Sequence, residues 1–149
     1  MSEAAQQPVF AIEKIYMKDL SVEVPNAPQI FLERETPEIE VNFRSNAQPL
    51  PQEGMFEVVL TVTITAKVKD KTLFLVEAAQ AGIFQIRHVP QQDLGPLLGI
   101  AGPNTLFPYV REAVSAVTTR AGFPPVVLAP MNFEAIYQQQ QAQHSSKPN

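Results

Sequence analysis

FEVVLTVTITAKV, residues 56 to 68, alternates two kinds of side chain with a period of two. Phe56, Val58, Leu60, Val62, Ile64, Ala66 and Val68 fall on one side; Glu57, Val59, Thr61, Thr63, Thr65 and Lys67 fall on the other. Extended backbone points successive side chains to opposite faces, so this stretch predicts a long strand with one buried face. Lys69, Asp70, Lys71 and Thr72 follow as a polar turn, and a second strand from Leu73 to about Ile86 completes a hairpin. Its first residues, Leu73 to Val76, are apolar on both faces, which suits a central strand or one covered from outside.

Working outward, Ile39, Val41 and Phe43 alternate with Glu38, Glu40, Asn42 and Arg44. They predict a shorter strand bounded by Pro37 and a loop from Ser45 to Gly54. Val9 to Val24 is rich in β-branched and aromatic residues, but Lys14 and Lys18 interrupt the apolar phase, as in a bulged or edge strand. Pro25, Asn26, Ala27 and Pro28 end it. Beyond Ile86 the period changes. Gly95, Pro96, Gly99, Gly102 and Pro103 predict that any helix before Asn104 is short or broken. Leu106, Val110, Ala113, Val114 and Val117 then follow helical spacing, with Pro108 in the first turn and Gly122 and Pro124 as the stop. After an extended, proline-rich connection Asn132 can cap a short helix from Phe133 to about Gln140. The fold class is therefore α+β: a four-stranded antiparallel sheet, one long helix and a short C-terminal helix.

The 149 residues suit a single domain, expected over residues 1 to 137, with a disordered Gln-rich tail over 138 to 149. The N-terminus MSEAAQQP has neither the basic start nor the apolar run of a signal peptide, so a cytoplasmic location is expected. There is no cysteine, hence no disulfide or thiolate chemistry, and a net charge of −4 does not fit a nucleic-acid footprint. Charge is uneven: residues 1 to 77 hold 12 acids and 7 bases, whereas residues 78 to 149 hold 3 and 4. So poorly charged a half is expected to be covered by a large core, by copies of itself or by a ligand.

Residues able to do chemistry are few. His88 and His144 are the two histidines, too few for a nitrogen-ligated zinc, and His88 reads as a polar strand-end residue; no metal or cofactor is expected. Glu38 and Glu40 share one strand face, as do Asp19 and Glu23. Residues four apart on a strand lie about 13 Å apart, too far to share a proton. Both pairs fit a solvated sheet face, and Asp19, Ser21 and Glu23 could alternatively form an acidic docking surface.

Five segments in a fixed order carry a resemblance: KDLSVEVPNAP from Lys18 to Pro28, EVVLTVTITA from Glu57 to Ala66, GIF from Gly82 to Phe84, PNTLFPYVRE from Pro103 to Glu112, and GFPPVVLAPMNFEAIY from Gly122 to Tyr137. Together they resemble the SecB family of bacterial protein-export chaperones over about residues 8 to 137. The resemblance implies a homotetramer, a dimer of dimers with the long helices sandwiched between two sheets. It further implies binding of unfolded preproteins in apolar grooves and their transfer to the SecA translocation ATPase, with no catalysis. It implies groove lining by Phe31, Ile39, Val41, Phe43, Phe84, Phe133, Ile136 and Tyr137, and motor docking by Asp19, Glu23, Leu75 and Glu77. Subunit contacts would involve Val76, Ala78 and Gln80, with Leu106, Val110, Val114 and Val117 on the helix. Family members often end in an acidic tail, whereas this chain ends QQQQAQHSSKPN. Two other readings stay open: a small-molecule pocket or enzyme of the cone-like α+β type, which needs a polar titratable cluster inside the pocket, and a purely structural oligomer.

Overall fold

The computed structural model describes residues 6 to 146. Four strands, β1 (Val9–Glu23), β2 (Glu38–Pro49), β3 (Met55–Val68) and β4 (Lys71–Arg87), form one antiparallel sheet in the order β1-β4-β3-β2. The hairpin is as the alternation requires: Val62 pairs with Ala78 and Ile64 with Val76. Its turn is only Lys69 and Asp70, so β4 begins two residues earlier than expected. β4 is a central strand, which accounts for its two apolar faces. One residue there departs from simple alternation. Ala66 pairs with Phe74 and Lys67 with Thr72, leaving Leu73 as the extra residue of a bulge.

β1 is both an edge strand and bulged. Ile12 pairs with Phe84 and Lys14 with Ile83; Met17 pairs with Gln80 and Asp19 with Ala79, so Glu13 and Lys18 are the extra residues. The apolar side chains Phe10, Ile12, Ile15, Met17, Leu20 and Val22 consequently share the inner face despite a spacing of two, three, two, three, two. β2 runs through Ser45–Pro49, where a loop was expected; Asn46, Ala47 and Gln48 pair with Val59, Val58 and Glu57. Small and polar side chains blur the period there, and Pro49 is tolerated because β2 is the other edge.

The inner face of the sheet carries the helix. Val58, Leu60, Val62, Ile64, Phe84, Leu106, Val110 and Val114 are all fully buried. Helix before Asn104 is short and interrupted, as expected, but it runs on into the long helix. α1 (Gln91–Pro96) passes through a π-helical turn (Leu97–Ala101) into α2 (Gly102–Arg120). Pro96, Leu97, Ala101 and Gly102 all keep right-handed helical angles, so the prolines widen the helix without ending it. Pro108 is therefore in the interior of α2, where it forfeits one amide bond, and not in its first turn. Gly102 permits close approach: a Cβ there would lie 3.1 Å from Val58 Cγ1.

α3 spans Phe133–Ser146 and is capped by Asn132, whose Oδ1 accepts from the Ala135 amide at 2.9 Å. It runs past the stop expected at Gln140, so the tail expected to be disordered is helical through residue 146. Gln and Ala are good helix formers, and no Gly or Pro intervenes before Pro148. The final three residues lie outside the described part, as does the side chain of His144. Among the described residues, no helix is long and apolar enough to cross a membrane.

The helix packing revises one expectation. Leu106, Val110, Val114 and Val117 are buried against their own sheet, and Val76, Ala78 and Gln80 lie beneath the same helix. Much of the low charge of this half is thus absorbed by the chain's own core. The apolar side chains left exposed include Tyr109 and Val127 in this half and Phe10, Ile12, Leu20 and Val22 on β1.

Candidate functional site: an apolar groove and an acidic sheet face

Between edge strand β2 and the connector after α2 lies a groove of about 460 Å³. Ile39, Val41 and Phe43 project into it from β2, Leu73 and Phe74 from the bulged start of β4, and Phe123 to Ala129 form the opposite wall. With Pro37 and Met131, all 14 lining residues are apolar. Each has a local cause. The inner-facing alternation of β2 would bury Ile39 and Val41 if the helix covered them, but α2 packs on β4 and β3 and they stay 47% and 37% exposed. Pro124 and Pro125 hold the wall extended.

That wall is fixed at two points by a residue that pattern reading does not single out. The Phe123 amide donates to the Thr118 carbonyl at 3.1 Å, and beyond the prolines the Val126 amide donates to Thr118 Oγ1 at 3.0 Å. Gly122, at φ +100°, makes the turn between helix and wall. A Cβ there would lie 2.9 Å from the Phe31 ring, which stacks on Phe123 at 5.1 Å; Phe123 in turn meets Phe74 at 4.8 Å.

Of the side chains expected to line a groove, Ile39, Val41 and Phe43 do so, and Phe31 reaches its rim through Phe123. The others do different work. Phe84 is fully buried under Phe10, with ring centroids 5.4 Å apart, and presents no surface. Phe133 is buried edge-on to Phe107 at 5.9 Å, Ile136 packs on the core, and Tyr137 lies against Gly95 and Gly99, which have no side chains to exclude it. These three dock α3 onto the helix ahead of it. The wall from Phe123 to Leu128 and the pair Leu73 and Phe74 were missed. FPPVVL reads as a mere connection, and Leu73, which simple alternation would place on the side of Leu75 and Glu77, sits in the bulge and faces the groove.

The outer face brings together the other expected set. Glu23 pairs with Leu75, Ser21 with Glu77 and Asp19 with Ala79, so Asp19, Glu23, Leu75 and Glu77 share one side of two adjacent strands. Glu77 Oε1 lies 3.4 Å from Arg44 and accepts from Thr63 Oγ1 at 3.5 Å. Glu38 and Glu40 are exposed on this same side.

Further along this face Glu57 is only 7% exposed yet ionised. The Tyr16 hydroxyl donates to its Oε2, Lys18 Nζ reaches its two oxygens at 2.9 and 3.1 Å, and Gln48 Nε2 donates at 3.1 Å. The Tyr16 bond, helped by Lys18, holds the Glu57 pKa below its ordinary 4.5 against the opposing effect of burial. Burial first, and the carboxylate second, push Tyr16 up to about 12. A carboxyl group with a depressed folded pKa contributes stability that is present above its unfolded value and is lost as pH falls through the folded one. Urea midpoints should therefore decline from about pH 4.5 downward, and Glu57→Gln should flatten that decline; identical profiles would show that the network adds nothing.

Comparison with known proteins gives consistent results. The family model described as "Preprotein translocase subunit SecB" matches residues 3–144. The protein-export protein SecB of Chromobacterium violaceum is 62% identical over 150 residues, covering 100% of this chain and 99% of its own. That of Nitrosospira multiformis is 61% identical, covering 99% and 94%. Among solved structures, a Mycobacterium tuberculosis SecB-like chaperone, in complex with a ChAD peptide from the HigA1 antitoxin, superposes with a TM-score of 0.68. It is 20% identical and covers 82% of this chain and 90% of that one, a likeness of fold.

Proposed function

Since this chain belongs to the SecB family of preprotein translocase subunits, we propose that the groove beside β2 is where it grips unfolded preproteins. The protein is a molecular chaperone of protein export. It keeps preproteins unfolded without ATP and delivers them to the SecA translocation ATPase. The observation that carries the groove assignment is the wholly apolar lining, open to solvent along Ile39 and Val41. A small-molecule enzyme would need a titratable cluster among those residues.

Magnitudes explain why such a site takes long, nonspecific clients. A buried Leu, Val or aromatic side chain gains roughly 1.5 to 3 kcal/mol. Ordering the client backbone costs about 1 to 2 kcal/mol per residue. One groove barely breaks even. Several grooves on one assembly, joined by the same client chain, bind at high effective concentration. A homotetramer, built as a dimer of dimers and working in the cytoplasm, meets that requirement, and the exposed row of Phe10, Ile12, Leu20 and Val22 supplies apolar surface for assembly. Folded proteins have already buried the side chains the groove accepts, so selectivity follows from slow client folding. The acidic outer face of Asp19, Glu23 and Glu77 around Leu75 suits a basic surface on the ATPase.

Diluting a denatured secretory precursor into buffer containing the protein, without nucleotide, should suppress light scattering. Unchanged aggregation at a severalfold excess of the protein would refute the reading.

A further inference from the structure

Asp19, Ser21 and Glu23 face outward for a reason that lies in the backbone. Lys14 and Tyr16 pair with Ile83 and Ala81 on the outer face, so uninterrupted alternation would turn residues 19, 21 and 23 inward, against the helix side. The extra residue at Lys18 reverses the phase, placing the three on the outer face and Leu20 and Val22 on the inner. A docking surface on β1 thus exists only while this bulge holds its place.

Bulges on an exposed edge strand are free to migrate unless something fixes them. Here the bulge is held from both faces of the sheet. On the inner side, Gln80 Nε2 donates to the Tyr16 carbonyl at 3.1 Å. On the outer side, Glu57 gathers Tyr16 and Lys18, which flank Met17 at the register shift, and reaches them across β4 from β3. The small side chain of Ala81, between Tyr16 and Val59, leaves the way open. Gln48 ties in β2 as well, so one carboxylate spans the whole sheet.

We propose that Glu57 is a positioning residue for partner docking: by holding Tyr16 and Lys18 it locks the bulge that turns Asp19 and Glu23 toward a basic partner. Glu57 itself is covered and saturated, and need not touch that partner. The inference rests on the docking reading above. Its premise is tested separately.

The test uses the full-length assembled protein and calorimetric titration with the SecA translocation ATPase. Asp19→Asn with Glu23→Gln should weaken docking; if it does not, the docking reading fails and this inference with it. Glu57→Gln should weaken docking about fivefold to tenfold, the size of one ordinary hydrogen bond. Affinity for an unfolded precursor should stay within about twofold, since that groove is on the opposite face. In the Asp19→Asn, Glu23→Gln background, Glu57→Gln should add nothing, whereas a general loosening of the fold would still add its own loss. Wild-type docking by Glu57→Gln, or a full additional loss in that background, overturns the proposal. Should Glu57→Gln not fold, Lys18→Met carries the same comparison, because Lys18 is half exposed and its loss leaves the core intact.

Discussion

Placing a carboxylate at Val41 should lower affinity for an unfolded preprotein by about two orders of magnitude while leaving the chain folded. The effect is large because binding, not folding, buries this position. In the free protein Val41 is 37% exposed, so an aspartate there keeps contact with water. Once a client covers the groove, the charge must enter a site whose other lining residues are all apolar. An unpaired buried charge costs several kcal/mol, and one factor of ten in affinity is about 1.4 kcal/mol. Calorimetry should show the loss of affinity, and sedimentation an unchanged assembly. Wild-type affinity in Val41→Asp would remove the groove from the client-binding surface.

Leu106→Ala is expected to have the opposite signature. Leu106 is fully buried, and its Cδ2 lies 3.1 Å from where a Cβ on Gly82 would sit, so helix and sheet are in close contact there. Removing the side chain costs about 2.7 to 5 kcal/mol, the span known for fully buried leucines that leave a cavity. Domain stabilities run at about 5 to 15 kcal/mol. The urea midpoint, compared at one protein concentration, should fall by about a fifth or more. A loss under about 1 kcal/mol would mean that the sheet collapses into the gap and that the packing is softer than it looks.

These two positions show what a sequence can reveal and where it stops. The β3–β4 hairpin was legible because period two persists over FEVVLTVTITAKV, and the irregularity of β1 was legible from Lys14 and Lys18. The second half of β2 was not, since Ser45, Asn46, Ala47 and Gln48 include no large apolar side chain to mark an inner face. The early helix was hidden because glycine and proline commonly act as punctuation. Here Gly102 makes room for Val58, and Gly95 and Gly99 make room for Tyr137. The groove was half legible. Ile39, Val41 and Phe43 announce an apolar strand face, but which strand the helix leaves bare depends on where α2 crosses the sheet. Phe84, expected in the groove, and Leu106, Val110, Val114 and Val117, expected at subunit contacts, are the complementary case, since apolar residues look available until the chain's own packing claims them.

One feature of the groove wall reaches beyond shape. An extended segment lying beside an edge strand would ordinarily zip onto it as one strand more, sealing the cleft and hiding its side chains from any guest. Pro124 and Pro125 carry no amide hydrogen, and Val126 has already committed its own to Thr118. The cleft is thereby kept from healing over, which the proposed client groove needs if it is to stay receptive without spending fuel to reopen itself.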